Sequence, residues 1–143
     1  MILPDVNILV YAYNRGAPLH FLAKQWLEST FNGTEVVGLA WAALMGFIRI
    51  LSNPRVVTDP VRPEVLLGVV QGWLGLSVCR LVGPGPGHVE LMARLFTQSG
   101  AGPQMVTDVH LAALALEHRA TLYSNDVDFT RFSDLKLKNP LKG

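Results

Sequence analysis

The chain holds one cysteine, Cys79. A single thiol excludes an intramolecular disulfide and any cysteine-based zinc site. Its place at the end of the apolar run Leu76-Ser77-Val78-Cys79 predicts a buried, unreactive side chain. Charge is scarce as well. Only 16% of residues are charged and the net charge is +1, so overall charge does not by itself announce a nucleic-acid binder. Long apolar runs are missing too. The longest stretches, Val36 to Leu44 and Val65 to Val70, fall far short of a bilayer span, so no membrane association is expected. The opening residues Met-Ile-Leu-Pro-Asp offer neither a basic n-region nor an apolar h-region, which predicts no signal peptide and a cytoplasmic location. No internal repeat or low-complexity segment interrupts the sequence.

What is present is a chain of 143 residues, half of them apolar. That length predicts one domain over residues 1–143 with a substantial core. So much apolar content with so little charge also suggests a surface buried against a second copy or a partner.

The element pattern alternates. Met1 to Leu3 reads as a buried strand ending at Pro4-Asp5, followed by a helix capped by Asp5 or Asn7. Residues 19 to 31 space Phe21, Leu22, Trp26, Leu27 and Phe31 at helical intervals, and Asn32-Gly33 ends that helix. Glu35 to Ala40 is a β-branched run, Trp41 to Leu51 a helix, and Arg55 to Pro63 a loop. Glu64 to Leu76 is helical despite three glycines. Val78 to Val82 forms a third strand, and His88 to Ser99 a further helix. In the last third, Thr107 or Asp108 caps a helix over Val109 to Glu117. Ala120 to Ser124 is a fourth strand, and Leu135 to Lys138 alternates like an edge strand. Strands alternating with helices through short loops predict a single-domain α/β fold, its central sheet mostly parallel with helices on both faces.

In such sheets ligands bind beyond the carboxyl ends of the strands. Asp5 follows strand one, Asp126 and Asp128 follow strand four, and Asp108 opens a helix at the same edge if Gln104-Met105-Val106 enters from the sheet. A lone aspartate at a helix start is usually a cap. Three segments converging on one edge are harder to explain that way. Two unit charges about 4 Å apart at an effective dielectric near 20 repel by on the order of 4 kcal/mol. Such a cluster protonates a member or recruits a cation. Hard oxygen donors, with no cysteine and no His-x-x-x-His pair, favour Mg2+, with Mn2+ as the alternative. The chemistry expected is metal-assisted phosphodiester hydrolysis, with Asp5, Asp108 and Asp126 both as metal ligands and as the catalytic acids.

Three stretches carry a family resemblance. Asp5-Val6-Asn7, Thr107 through Ala115, and Ser124-Asn125-Asp126-Val127-Asp128-Phe129 resemble the signature segments of the PIN-domain nucleases. The resemblance spans the chain and is closest to the VapC-type toxins of bacterial toxin–antitoxin pairs. Leu122 to Phe132 and Asn139-Pro140-Leu141 are similar to the C-terminal end of that branch. The resemblance implies a PIN-like fold, a magnesium-dependent RNA endonuclease, an RNA substrate, a homodimer and a cognate antitoxin. One departure stands out. Where the family carries a glutamate on the helix after strand two, in a phrase like Glu-Leu-x-Arg, this chain reads Gly46-Phe47-Ile48-Arg49. Glu35 sits too early to replace it. A catalytically weakened module that binds RNA or antitoxin without efficient cleavage is therefore the rival expectation.

Secondary roles follow from position. Asp128 is the nearest spare carboxylate: on a strand it would face away from Asp126, but in a loop both could reach the pocket. Asn7 would donate its amide to Asp5 or to phosphate, or serve only as a turn residue. Thr107 would bond a ligand carboxylate or cap its helix, and Ser124 would line the pocket. Arg49, Arg55 and Arg131 are the cations expected to meet the RNA backbone. The lysines at 136, 138 and 142 are read as solubilising an edge strand. His110 is read as structural, while His20, His88 and His118 are isolated in sequence and receive no role. Trp26, Trp41 and Trp73 are read as packing residues. An aspartyl-nucleophile phosphatase is disfavoured, because Asn7 stands where a second aspartate is needed.

Overall fold

A computed structural model describes residues 1–142. Along these residues the elements are β1 (Ile2–Pro4), α1 (Val6–Tyr13), α2 (His20–Phe31), β2 (Val37–Ala40), α3 (Trp41–Leu51), α4 (Pro63–Leu74), β3 (Cys79–Val82), α5 (His88–Ser99), α6 (Val106–Glu117), β4 (Thr121–Tyr123) and β5 (Leu137–Lys138). The five strands form one sheet in the order β3-β2-β1-β4-β5. All four pairings are parallel, with Ile2 opposite Val37 on one side and Leu3 opposite Leu122 on the other. Parallel sheets require both faces covered. The burial of all three residues of β1 and all four of β2 matches that need.

Chain direction sorts the helices. The crossovers from β1 to β2 and from β2 to β3 step the same way, so right-handed connections put α1 to α4 on one face. The return from β3 across to β4 reverses direction and puts α5 and α6 on the other. Packing agrees: α1 lies against α2 and α3, α3 meets α4, and α5 meets α6. The core runs through both layers, with Leu3, Leu39 and Leu122 from the sheet, Ile8, Leu9, Leu44 and Phe47 from one helical layer, and Leu111 and Leu114 from the other.

Most expected elements stand within a residue or two of their sequence limits. Cys79 is buried, as anticipated. The fourth helix differs: it starts on Pro63, whose fixed φ suits a first helical position, and it stops before Gly75 and Leu76. The last long helix differs more. It starts at Val106 behind a 3₁₀ turn over Pro103–Met105, and no side chain caps it. Thr107 and Asp108 are therefore not caps, and the segment before them arrives from a turn rather than from the sheet. Pro103 explains this, because it sets the turn and the helix propagates directly from it. Gly100 ends α5 in the left-handed region at φ 69°, a conformation that favours glycine.

Candidate active site

Strand order reverses at β1. The chain steps from β1 outward to β2 and β3, then returns to β4 on the opposite side. The gap beyond the carboxyl ends of β1 and β4 is thus the switch point where such sheets bind ligands. Asp5 follows β1, Ser124 to Asp126 follow β4, and the first turn of α6, which holds Asp108, lies at the same end because α6 leads down into the start of β4.

Asp5 is 3% exposed. Its backbone N–H donates to Tyr123 O at 2.9 Å, which locks the residue to β4. Its Oδ1 accepts from the Val6 N–H at 2.7 Å, capping α1, and its Oδ2 accepts from the Ser124 hydroxyl at 2.7 Å. Of the two caps expected for α1, the structure therefore selects Asp5. Ser124 is itself buried, and its Oγ also accepts the Asp126 N–H at 2.9 Å. One hydroxyl thereby ties two carboxylate-bearing segments together. Asp126 in turn caps the 3₁₀ turn Val127–Arg131, accepting the Asp128 N–H at 2.9 Å. Asp128 sits on that turn and is exposed, so the loop geometry, rather than the strand geometry, applies to it.

The electrostatics report convergence. Burial, and then the charges of Asp5, Asp126 and Asp128, push the Asp108 carboxyl up to about 6. Burial also raises the Asp5 carboxyl, against the opposing hydrogen bonds from Ser124 and Val6, and the Asp126 charge adds to the rise. Asp108 thus feels the other three carboxylates, and Asp5 feels Asp126. As they stand, no three acidic, histidine or cysteine side chains among the described residues are arranged to grip an ion. The donor set nevertheless fits a hard divalent cation: every group is an oxygen, and the strained Asp108 is the carboxylate a cation would relieve.

The remaining sequence candidates divide. Asn7 faces the loop after β4, but its Oδ1 accepts weakly from the Asn125 N–H at 3.5 Å; its amide does not donate to Asp5. Thr107 is exposed in the first turn of α6. Arg131 lies on the 3₁₀ turn beside Asp126 and Asp128. Arg49 and Arg55 do not share this edge. The eleven residues of α3 carry the chain about 16 Å back from the end of β2, leaving Arg49 in the last turn and Arg55 beyond it. Gly46 is buried, and a Cβ there would come within 2.6 Å of the Val6 Cγ2 methyl. A side chain at position 46 would therefore have to part α1 from α3.

Some features escaped the sequence. Asn125 and Asn139 join across the strand ends, Asn139 Nδ2 donating to Asn125 Oδ1 at 2.9 Å. The histidines are not isolated. His88 is buried and bonds both Glu117 and His110, the latter at 2.8 Å, while Glu117 also accepts the Gly85 N–H at 2.6 Å. His118 meets Gly83 O at 2.9 Å and His20 meets Tyr11 O at 2.8 Å. The contacts of His88 with Glu117 and His110 staple α5 to α6, in keeping with the structural reading of His110. Only its helical spacing, Glu117 lying seven residues after His110, was legible beforehand. Of the tryptophans, Trp73 packs among Tyr13, Phe31 and Phe47, and Trp26 stacks on Tyr123. Trp41 is 47% exposed, so core packing does not account for it.

The architecture is that of a parallel α/β domain with acidic groups gathered at its switch point. The PIN domain family matches residues 2–135. Among curated relatives, Ribonuclease VapC33 of Mycobacterium tuberculosis is 39% identical over 142 residues, covering 99% of both chains. Ribonuclease VapC37 of the same species is 37% identical, covering 95% of this chain and 94% of its own. Among solved structures, the M. tuberculosis toxin VapC20, described as cleaving the sarcin-ricin loop, superposes with a TM-score of 0.70 at 19% identity, covering 95% of this chain and 99% of its own. VapBC2 of Rickettsia felis, bound to a promoter DNA fragment, superposes with a TM-score of 0.68 at 21% identity, covering 97% and 98%. The chain belongs to the PIN-domain family, in its VapC branch.

Proposed function

We propose that this protein is a metal-dependent endoribonuclease acting as the toxin of a toxin–antitoxin pair. The observation that carries the reading is the elevated Asp108 carboxyl facing the charges of Asp5, Asp126 and Asp128 at the switch point. Full-length similarity to relatives named as ribonucleases supports it. Asp5, Asp108 and Asp126 would hold Mg2+ or Mn2+, and Asp128 lies within electrostatic reach. Bound there, the ion would supply activation of water and neutralisation of charge developing on phosphate.

The chain's own residues supply the frame. Asp5 is fixed by three hydrogen bonds and cannot swing away. Ser124 holds the Asp126 loop against it, so two ligands from distant parts of the sequence keep one spacing. Arg131, on the turn after this loop, would meet an RNA phosphate. Exposed Phe21, Trp41 and Met45 support a homodimer or an antitoxin as the cover for apolar surface. Among the described residues no helix is long and apolar enough to cross a membrane.

Cleavage of bacterial RNA with manganese present tests the reading. Wild-type protein is expected to cut, and Asp5→Asn to lose the activity while keeping its fold by circular dichroism. RNA left intact by the wild type at every metal concentration overturns the enzyme. The packed glycine at position 46 favours one rival, a module that binds RNA or antitoxin without efficient cleavage. RNA binding without cutting is its signature.

A further inference from the structure

β5 ends at the same edge as the acidic pocket, because it runs parallel to β4. The Ser124 N–H donates to Lys138 O at 3.0 Å, so the residues after Lys138 emerge directly beside the catalytic loop. They do not run off into solvent. Asn139 Oδ1 accepts the Leu141 N–H at 2.9 Å and folds the segment into a turn, while its Nδ2 binds Asn125. Leu141 is buried in the core and anchors the far side of that turn. A groove of about 160 Å³ lies between the two segments, lined by residues 124–127 and Thr130 on one wall and by Leu137, Asn139 and Lys142 on the other, with Val127 and Leu137 as its apolar members.

The groove's size and lining choose its ligand. It is smaller than the roughly 300 Å³ at which small-molecule pockets begin, so it takes one group of a larger molecule. It shares Ser124 and Asp126 with the proposed metal site, so that group belongs to the same substrate strand. Amides offer hydrogen bonds, and Lys142 offers an exposed cation that forms no ion pair among the described residues. An anionic, hydrogen-bonding group one step along the polymer from the scissile phosphate meets these demands.

Resting on the ribonuclease reading, we propose that the 139–142 turn forms the second wall of the substrate groove and that Lys142 receives the RNA phosphodiester adjacent to the one cut. Asn139 is its positioning residue. The lysine is then part of the substrate path rather than a solubilising charge.

Anisotropy of short fluorescein-labelled single-stranded RNAs of mixed sequence, in calcium, gives affinity apart from cleavage. Cleavage of bacterial RNA in manganese gives KM and kcat. Lys142→Gln is expected to weaken binding about five- to tenfold at low salt and to flatten the salt slope by about 0.7. KM rises by a similar factor with kcat within about twofold, and Lys142→Arg restores wild-type values. Wild-type affinity and KM in Lys142→Gln overturn the subsite and leave the ribonuclease intact. If the wild type cuts no RNA but binds it through Lys142, the enzyme reading falls and the groove stands. If it binds no RNA, the groove falls as well.

Discussion

Replacing Asp108 with asparagine is expected to stabilise the metal-free protein. The Asp108 carboxyl is raised from its ordinary 3.8 to about 6, by burial first and then by Asp5, Asp126 and Asp128. At 1.36 kcal/mol per unit this amounts to about 3 kcal/mol of strain when the group is ionised. Asp108 is only partly buried, and solvent screening reduces the figure to roughly 1–2 kcal/mol. The sign follows from linkage: a raised carboxyl contributes stability that is complete below about pH 4 and lost as pH rises through about 6. Asparagine keeps the shape and carries no charge. In chelator at pH 7.5, Asp108→Asn should therefore show an unfolding free energy roughly 1–2 kcal/mol above wild type in denaturant titration, or a Tm roughly 3–8 °C higher. The gap should narrow through pH 6 and 5 and close near pH 4. Saturating manganese should reverse the order, since a ligand at a hundred times its Kd adds about 2.7 kcal/mol to the protein that binds it. A variant less stable than wild type in chelator at every pH refutes the strained cluster. Equal stabilisation of both proteins by manganese refutes Asp108 as a ligand.

Placing a glutamate at position 46 should fail as a simple change. Gly46→Glu meets the Val6 methyl at 2.6 Å, and overpacking of this kind costs about 1–3 kcal/mol, more than helix propensity returns. Val6→Ala in the same chain should recover most of that loss in urea titration, and a neutral Gly46→Glu would show that α1 and α3 separate readily. The Glu117 network should have the opposite pH sign to Asp108. Burial pushes the Glu117 carboxyl up, but hydrogen bonds from His88 and Gly85, with the charges of His88 and His118, hold it below the usual range. A depressed carboxyl gives stability above its unfolded pKa and loses it as pH falls. Glu117→Gln should thus cost about 1–3 kcal/mol at neutral pH, with the difference shrinking under acid. A pH-independent difference would assign the role to shape alone.

The sheet and its acidic edge were legible because they rest on local patterns. Short β-branched runs alternate with helical spacing, and Asp5 and Asp126 follow two of those runs closely. What sequence concealed depended on distances between elements. The start of α6 was set by Pro103 and the turn it makes, not by the side chains of Thr107 and Asp108. The missing acid at position 46 was visible as a letter, but its consequence required knowing that Val6 lies opposite. Arg49 and Arg55 looked close to the site because each sits near a strand-end loop or on a helix leaving one; the length of α3 removes them. His88 and Glu117 stand 29 residues apart, and no periodicity links them.

The pairing of β1 with β4 bears on how the protein is made. Ile2 stands opposite Thr121, and Asp5 is held by Ser124 across 119 residues. A nascent chain can assemble β1, β2 and β3 early, yet Asp5 then lacks its hydroxyl partner and Asp126 does not exist. Contacts this remote form late because the intervening loop must be closed first. The acidic centre consequently matures only after the segment carrying Ser124 and Asp126 has been synthesised. For a protein proposed to cut RNA, that topology delays any cutting competence until β4 has docked beside β1.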